Sequence, residues 1–187
     1  MAARNKPDPP TPATVTVMLG AISEQFPNFG ASLRAGRGDP IEQVSGPATL
    51  DDIDAIEKRL AIPLPESYKR LLGCSSGFWL LGGCVKFQYP FFHDFPPLEQ
   101  LTPIQRQTLD AKGGIWPPPT QAMLCFADFF WEADGDQVLF DVKSGLAEGE
   151  YPIVYYAHES CSPEARRVAR RFDEWIEDCL SAFVDED

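Results

Sequence analysis

The sequence predicts an α+β fold with a mostly antiparallel sheet and a C-terminal helix docked on that sheet. Three observations predict it. Helix signals occur around residues 49–72, short apolar runs broken by glycine and proline follow from residue 78, and an amphipathic segment closes the chain over residues 162–183. Helices and strands in separate runs along a chain are typical of α+β domains.

The residues before position 48 are predicted to lie outside this domain. Residues 1–13 contain four prolines among charged and small residues and show no periodicity, which predicts a disordered, Pro-rich lead. Over residues 14–29 apolar side chains recur at helical spacing, and glycines are frequent from Gly30 onward. We therefore expect a short helix and a glycine-rich loop within residues 14–47.

Two short helices are predicted to open the domain. Thr49 is a hydroxyl N-cap, and Asp51 and Asp52 suit the positive end of a helix dipole. This helix must end near Ala61, because two prolines follow closely and deny backbone donors. The second helix is predicted over residues 65–72, with a proline and a glutamate at its start.

Strand-like apolar runs follow the two helices. They cover residues 78–81, 85–87, 123–126, 129–131, 137–141 and 151–156. From residue 123 onward these runs predict three antiparallel strands, with Asp134-Gly135 supplying the positive-φ residues of a tight hairpin. The Pro-rich stretch 90–119 is predicted to be irregular apart from a helix over residues 98–111.

The closing segment predicts one long amphipathic helix. Ser162 and Pro163 fit an N-cap and a first helical position, and apolar residues follow at helical spacing as far as Phe183. Four arginines near its start and four carboxylates near its end oppose the preference of the helix dipole. Pairs such as Arg170 with Glu174 offset part of this cost.

Acidity is the main signal in the composition. The chain has 28 acidic and 16 basic side chains, a formal net charge of −12, and residues 1–47 contribute equally to both signs. The whole excess therefore belongs to the predicted domain. Such a charge disfavours nucleic acid and anionic membrane as partners and favours a basic protein, although acidity also promotes solubility.

The cysteines and the apolar runs bear on location. The five cysteines include no CxxC pair, and their odd number excludes complete internal pairing. The N-terminal residues lack the apolar region of a signal peptide, and no apolar run is long enough to span a bilayer. We expect a cytoplasmic protein with reduced thiols.

Motifs for catalysis or metal binding are absent from the sequence. His93 and His158 are its two imidazoles, and neither lies in a recognisable motif. The GxSxG, Walker, GxGxxG and HExxH signatures do not occur. We predict no enzymatic activity, no cofactor and no metal site.

Two features allow another interpretation. The carboxylates of Asp134 and Asp136 could hold a cation or share acid and base roles, but Gly145 stands where an EF-hand loop needs its glutamate, and a turn is favoured. Trp79 and Trp131 could stack on a ligand, but aromatic residues in strand-like runs are expected in the core.

An ordered set of motifs carries a family resemblance. Its opening part is a helix followed by a Leu-Pro step, an acidic residue, a tyrosine, a basic residue and a hydrophobic pair. Its later part is Gly-Asp before one apolar strand, Tyr-Pro before the next, and a last helix that contains Phe and Trp. The segments are residues 49–57, 60–72, 135–141, 151–155 and 172–175. Together they resemble the SUKH superfamily, which includes the Smi/Knr-type regulator of yeast cell-wall synthesis and many bacterial immunity proteins.

The resemblance implies a SUKH-like α+β domain over residues 48–187, with a mixed or mostly antiparallel sheet flanked by helices. It also implies no enzymatic activity and a surface that binds a partner protein, in bacteria usually a cognate toxin such as a nuclease or deaminase. An acidic surface would speed encounter with a basic toxin. The candidate contacts are the carboxylates near the predicted hairpin and before the next strand, namely Asp128, Glu132, Asp134, Asp136, Glu148 and Glu150.

Three functional hypotheses follow. The first is an immunity protein that neutralises a toxin by direct binding. The second is a regulatory or scaffold module, in which Pro-rich segments at the N-terminus and at residues 116–119 serve as recognition elements. The third is a divergent enzyme that uses Asp134, Asp136 or His93.

Overall fold

The structure, a computed structural model, contains a seven-stranded antiparallel sheet. It describes residues 10–92, 123–143, 145–157 and 166–183, together with Pro103 and Gln107. The strands are β1 (Gln43–Val44), β2 (Phe78–Leu80), β3 (Val85–Phe92), β4 (Met123–Phe129), β5 (Gln137–Asp141), β6 (Ile153–Tyr156) and β7 (Arg166–Ala169). Each strand pairs antiparallel with the next along the chain, so β1 and β7 are the outer strands of the described sheet.

Helices pack on one face of this sheet and confirm the α+β class. The helices described over their whole length are α1 (Pro12–Gln25), α2 (Pro27–Arg34), α3 (Leu50–Leu60), α4 (Glu66–Cys74) and α5 (Phe172–Asp178), with 3₁₀ turns at Leu81–Gly83 and Cys179–Phe183. Their buried apolar residues form one core with the sheet face beneath them. The opposite face carries a smaller buried cluster formed by Met123, Cys125, Leu139, Val154 and Tyr156.

Aromatic rings form the centre of the main core. Phe126 of β4 stacks on Phe140 of β5 with ring centroids 4.2 Å apart. Tyr68 of α4 and Phe172 and Trp175 of α5 approach Phe126 at centroid distances of 5.5, 5.4 and 5.4 Å. These tilted and edge-to-face contacts fix α4 and α5 over the middle of the sheet.

The two helices that open the predicted domain are confirmed. Thr49 caps α3 in a capping box, because the Asp52 N–H donates to the Thr49 hydroxyl at 3.2 Å and the Thr49 N–H donates to the Asp52 carboxylate at 2.9 Å. The helix ends at Leu60, and Ala61 follows with a φ of 54°. In α4, Tyr68, Leu71 and Leu72 are buried against the core.

The N-terminal helices extend further than the sequence predicted. The predicted helix begins at Pro12. A second helix, α2, continues to Arg34, although the sequence predicts a loop from Gly30 onward. A Cβ added to Gly30 would lie 2.3 Å from the Ser23 hydroxyl, so glycine permits the close approach of α1 and α2. Phe29 and Leu33 of α2 are buried in the main core.

The prediction of one long C-terminal helix is wrong in its first half. Arg166–Ala169 is strand β7, which pairs with β6, and the helix starts only at Phe172 after an extended Arg171. The helical spacing of Val168 and Phe172 did not reveal the hydrogen bonds that β6 offers. The predicted N-cap at Ser162 lies outside the described residues, as does nearly all of the helix predicted over residues 98–111.

The predicted hairpin turn is only partly correct. Gly135 has a φ of 94°, whereas Asp134 does not adopt a positive φ, and seven residues rather than two connect β4 to β5. In an antiparallel chain order, successive connections lie at opposite ends of the strands. The β4–β5 connection and the β5–β6 connection are thus separated by the length of β5.

Candidate functional site

The six acidic residues predicted as partner contacts do not form one surface. Asp128 lies in β4, and Glu132, Asp134 and Asp136 lie in the β4–β5 connection, whereas Glu148 and Glu150 lie in the β5–β6 connection at the other end of the sheet. Five residues of β5 separate the two ends, a distance of about 17 Å. Sequence proximity of the two groups therefore did not imply spatial proximity.

Asp136 is buried and stabilises the turn, which corrects its assignment as an exposed contact. Its side chain accepts hydrogen bonds from the backbone N–H of Glu132 at 3.1 Å and of Ala133 at 2.8 Å. The Tyr155 hydroxyl donates a hydrogen bond to the same carboxylate oxygen. Burial, together with the Asp136 carboxylate, raises the pKa of Tyr155.

Glu150 is also buried, and it caps α4 rather than facing solvent. Its carboxylate accepts hydrogen bonds from the Ser67 backbone N–H at 2.9 Å and the Ser67 hydroxyl at 2.5 Å. The Glu66 N–H donates to the Gly149 carbonyl at 3.2 Å. Glu150 thus supplies the side-chain cap that Pro65 cannot provide at the start of α4.

The other four predicted contacts retain some exposure. Asp134 and Glu148 are exposed in their turns, and Asp128 is half-buried with its carboxylate 3.2 Å from the Gln137 side-chain amide. Glu132 is exposed but forms an ion pair with Arg166 at 3.0 Å. Of the six, Glu132 is the one whose ion-pair partner lines the groove described next.

A groove of about 430 Å³ opens at the edge of the sheet between β7 and α5. The buried rings of Phe129 and Trp175, with centroids 5.4 Å apart, form its floor. Trp131 and Val168 line it while retaining 44% and 36% exposure, and they are two of the six large apolar side chains exposed in the described part of the chain. The expectation that Trp131 belongs to the core is therefore wrong.

A cationic and aromatic wall closes one end of the groove. The Arg166 guanidinium lies 5.2 Å from the Trp131 ring centroid and 5.3 Å from the Tyr155 ring centroid. Its contact with Glu132 holds it in that position. The stacking of Arg166 on two rings orders Trp131 at the surface.

The α5 wall of the groove is negative. Glu174 forms an ion pair with Arg170 at 3.0 Å, whereas Asp178, the last residue of α5, has no ion pair among the described residues. No basic residue lies in the last turn, where the helix dipole already places partial negative charge. Asp178 therefore creates a negative potential at this end of the groove.

Sequence comparison identifies the fold family. The model of the SMI1 / KNR4 family (SUKH-1) matches residues 47–178, which is more than two thirds of the chain. The chain belongs to the SMI1 / KNR4 (SUKH-1) family. No curated protein matches the sequence significantly.

The SUKH-1 match begins just before α3 and ends with α5, so it includes β7 and excludes α1 and α2. The two excluded helices nevertheless pack in the same core. The N–H groups of Asn28 and Phe29 donate to the Glu177 carboxylate at 2.8 and 2.9 Å. Glu177 of the SUKH-1 domain thus caps α2.

Reactive groups in the described part of the SUKH-1 chain are mostly buried. Burial raises the pKa of Cys74 to about 11 and raises the pKa values of Cys125 and Cys179. The described residues contain no group of three His, Cys, Asp or Glu residues that could hold a metal ion. His93, which the enzymatic hypothesis invoked, lies outside the described residues. Among the described helices none has the length and hydropathy of a membrane span.

The groove was not predicted from the sequence, although Trp131 was considered as a side chain that could stack on a ligand. Trp131 was assigned to the core, and Arg166, Val168 and Asp178 were assigned to one amphipathic helix. In β7 two arginines and a valine are exposed, a pattern typical of an outer strand. The helical spacing of the apolar residues in this segment concealed that pattern. Only the pairing of β7 with β6 brings Arg166 beside Trp131.

Proposed function

We propose that this protein is a non-enzymatic immunity protein, which neutralises a cognate bacterial toxin such as a nuclease or deaminase by binding it directly. SUKH-1 membership supports a protein-binding domain of this type. The observation that carries the proposal is the groove with its exposed Trp131. Tryptophan anchors beside an apolar floor are typical of protein interfaces.

The net charge supports a basic partner. The formal charge is −12, and the excess lies after residue 47. A negative surface speeds encounter with a basic protein. It also repels nucleic acid, so the immunity protein would not itself bind the nucleic-acid substrate of a nuclease. The proposed site of action is the cytoplasm, where a delivered toxin would meet its target.

The side chains of the described region favour binding over catalysis. Asp136, which the enzymatic hypothesis invoked, is engaged by two backbone N–H groups and by Tyr155. Thiols with raised pKa values are poor nucleophiles because the thiolate is the reactive form. The proposed protein therefore acts by occupying a surface of the toxin.

Co-expression tests the proposal. A candidate toxin domain, taken from the C-terminus of a large secreted protein encoded beside this chain, is expressed in bacteria with or without the protein, and growth and complex formation are measured. We expect growth rescue and a stable complex. Trp131→Ala should weaken the complex by about 30-fold, as removal of an anchoring tryptophan costs about 2 kcal/mol.

The control variant is Tyr89→Ala, which removes an aromatic side chain of 39% exposure that does not line the groove. It should leave affinity unchanged. Neither rescue nor complex formation would refute the immunity function. Retention of several unrelated proteins at low affinity would instead favour a regulatory or scaffold module.

A further inference from the structure

We propose that an extended segment of the partner pairs with the outer edge of β7 as an additional strand and places an arginine or lysine side chain in the groove beside Asp178. The inference rests on the proposed protein-binding function and names the site and chemistry of the contact. It does not depend on which toxin is bound.

The outer edge of β7 carries the backbone groups that would pair with an added strand. Within the described part of the chain β7 pairs with β6 alone. Arg166, Arg167 and Val168 are exposed. An outer strand presents a row of backbone N–H and C=O groups, which is the template that an added strand uses.

The geometry of β7 directs alternate side chains of an added strand toward the groove. Arg166 is the cross-strand partner of Tyr155, and the Tyr155 ring lies in the core beneath the helices. Arg166 and Val168 line the groove from this same face. An added strand lies about 4.8 Å beyond β7 and directs every second side chain to that face.

Charge selects a basic side chain at this position. Arg166 is already paired with Glu132, and Arg170 is paired with Glu174. Asp178 is left without an ion pair among the described residues, at the negative end of α5. The apolar stem of an arginine or lysine can lie along the exposed Val168 while its charged head extends toward the Asp178 carboxylate.

The same edge disfavours a second copy of this chain. Two β7 strands paired edge to edge would bring two copies of Arg166 and Arg167 into one ladder. Like charges on neighbouring strands are destabilising, so a partner's single basic side chain fits beside the uncharged Val168, whereas two paired β7 strands bring four arginines together. The occupant is therefore a strand of a different protein.

Synthetic peptides and the full-length protein test this inference. The probe is a fluorescent peptide of about ten alternating threonine and valine residues with one central arginine. The comparison peptide has glutamate in place of arginine. Fluorescence anisotropy gives the dissociation constant, and hydrogen exchange measured with and without peptide reports on the amides of residues 166–169.

We expect the arginine peptide to bind with a dissociation constant of about 1 mM or tighter and to slow exchange of the β7 amides. The glutamate peptide should bind at least about tenfold more weakly. Asp178→Asn should weaken binding of the arginine peptide by about fivefold, which is the upper range for an exposed ion pair. Asp54→Asn, the same change on the exposed face of α3, should have no effect.

Four results would overturn the inference: no binding of the arginine peptide, equal binding of both peptides, binding without slower exchange in β7, or an Asp178→Asn variant with unchanged affinity. Growth rescue by a protein that gives any of these results would leave the immunity function standing. Peptide binding without rescue would contradict the immunity function and leave the β7 site intact.

Discussion

Replacement of Glu150 by alanine should destabilise the fold, because this carboxylate caps α4 from a buried position. The substitution leaves the Ser67 N–H and hydroxyl without their acceptor, and Ser67 is fully buried. A hydrogen bond to a charged group contributes about 1.5–3 kcal/mol. Because both bonds share one carboxylate and are not additive, we expect a loss of about 3 kcal/mol in the free energy of unfolding.

Equilibrium unfolding in urea measures this loss. For an m value of about 2 kcal/mol/M the transition midpoint should fall by about 1.5 M, with the slope unchanged. The matched control is Glu148→Ala, two residues away and exposed, which should change stability by less than about 0.5 kcal/mol. A double-mutant cycle with Ser67→Ala should give a coupling energy of about 1–2 kcal/mol.

Equal stability of the Glu150→Ala and Glu148→Ala variants would refute the assignment of Glu150 as a cap. So would a coupling energy near zero between Glu150 and Ser67. Either result would return Glu150 to the set of exposed carboxylates available to a partner.

Three further predictions concern other parts of the fold. Glu177→Ala should lower the free energy of unfolding by about 1–2 kcal/mol, because it removes the cap of α2. Unfolding in urea should keep a single transition; a separate early transition would show that α1 and α2 unfold independently. At pH 8 the half-buried Cys84 should react with a thiol reagent before the buried Cys179, as mass spectrometry of labelled peptides would show; rapid labelling of Cys179 would contradict its burial. Burial and Asp136 raise the pKa of Tyr155, so the stability it supplies is complete below about pH 10 and is lost as pH rises through the folded-state pKa. Tyr155→Phe should therefore flatten the alkaline decline of the unfolding free energy measured at several pH values, and identical slopes would contradict this linkage.

Local signals were sufficient for α3 and α4. The hydroxyl of Thr49, the carboxylate of Asp52 and the prolines after Leu60 act within one or two turns, so the sequence alone specifies where these helices begin and end. The strands from β2 to β6 were also recognisable, because apolar runs bounded by turn residues describe buried strands without reference to their partners.

The C-terminal segment shows where local reasoning fails. Its charge order opposed a single helix, since four arginines preceded the carboxylates. The structure resolves the conflict, because Asp173 and Glu174 lie in the first turn of α5, where the dipole favours them, and the first two arginines belong to β7. The pairing of β7 with β6 is a tertiary contact that overrides helical periodicity.

The candidate site was harder to predict than the fold. The acidic residues chosen from the sequence were close in the chain, but antiparallel connections separated them, and burial removed Asp136 and Glu150 from the surface. The groove joins the end of β4, the edge strand β7 and the end of α5. Its composition depends on the register of β6 and β7, which no local pattern specifies.

Stoichiometric binding without catalysis is the proposed mode by which this SUKH-1 protein neutralises a toxin. Calorimetric titration of the protein into the toxin domain encoded beside it, with residual toxin activity assayed at each step, tests that claim most directly. We predict saturable heat at about one protein per toxin, with toxin activity falling in proportion to the complex formed. Loss of toxin activity at far less than one equivalent of the protein, or no heat of binding at any ratio, would contradict it.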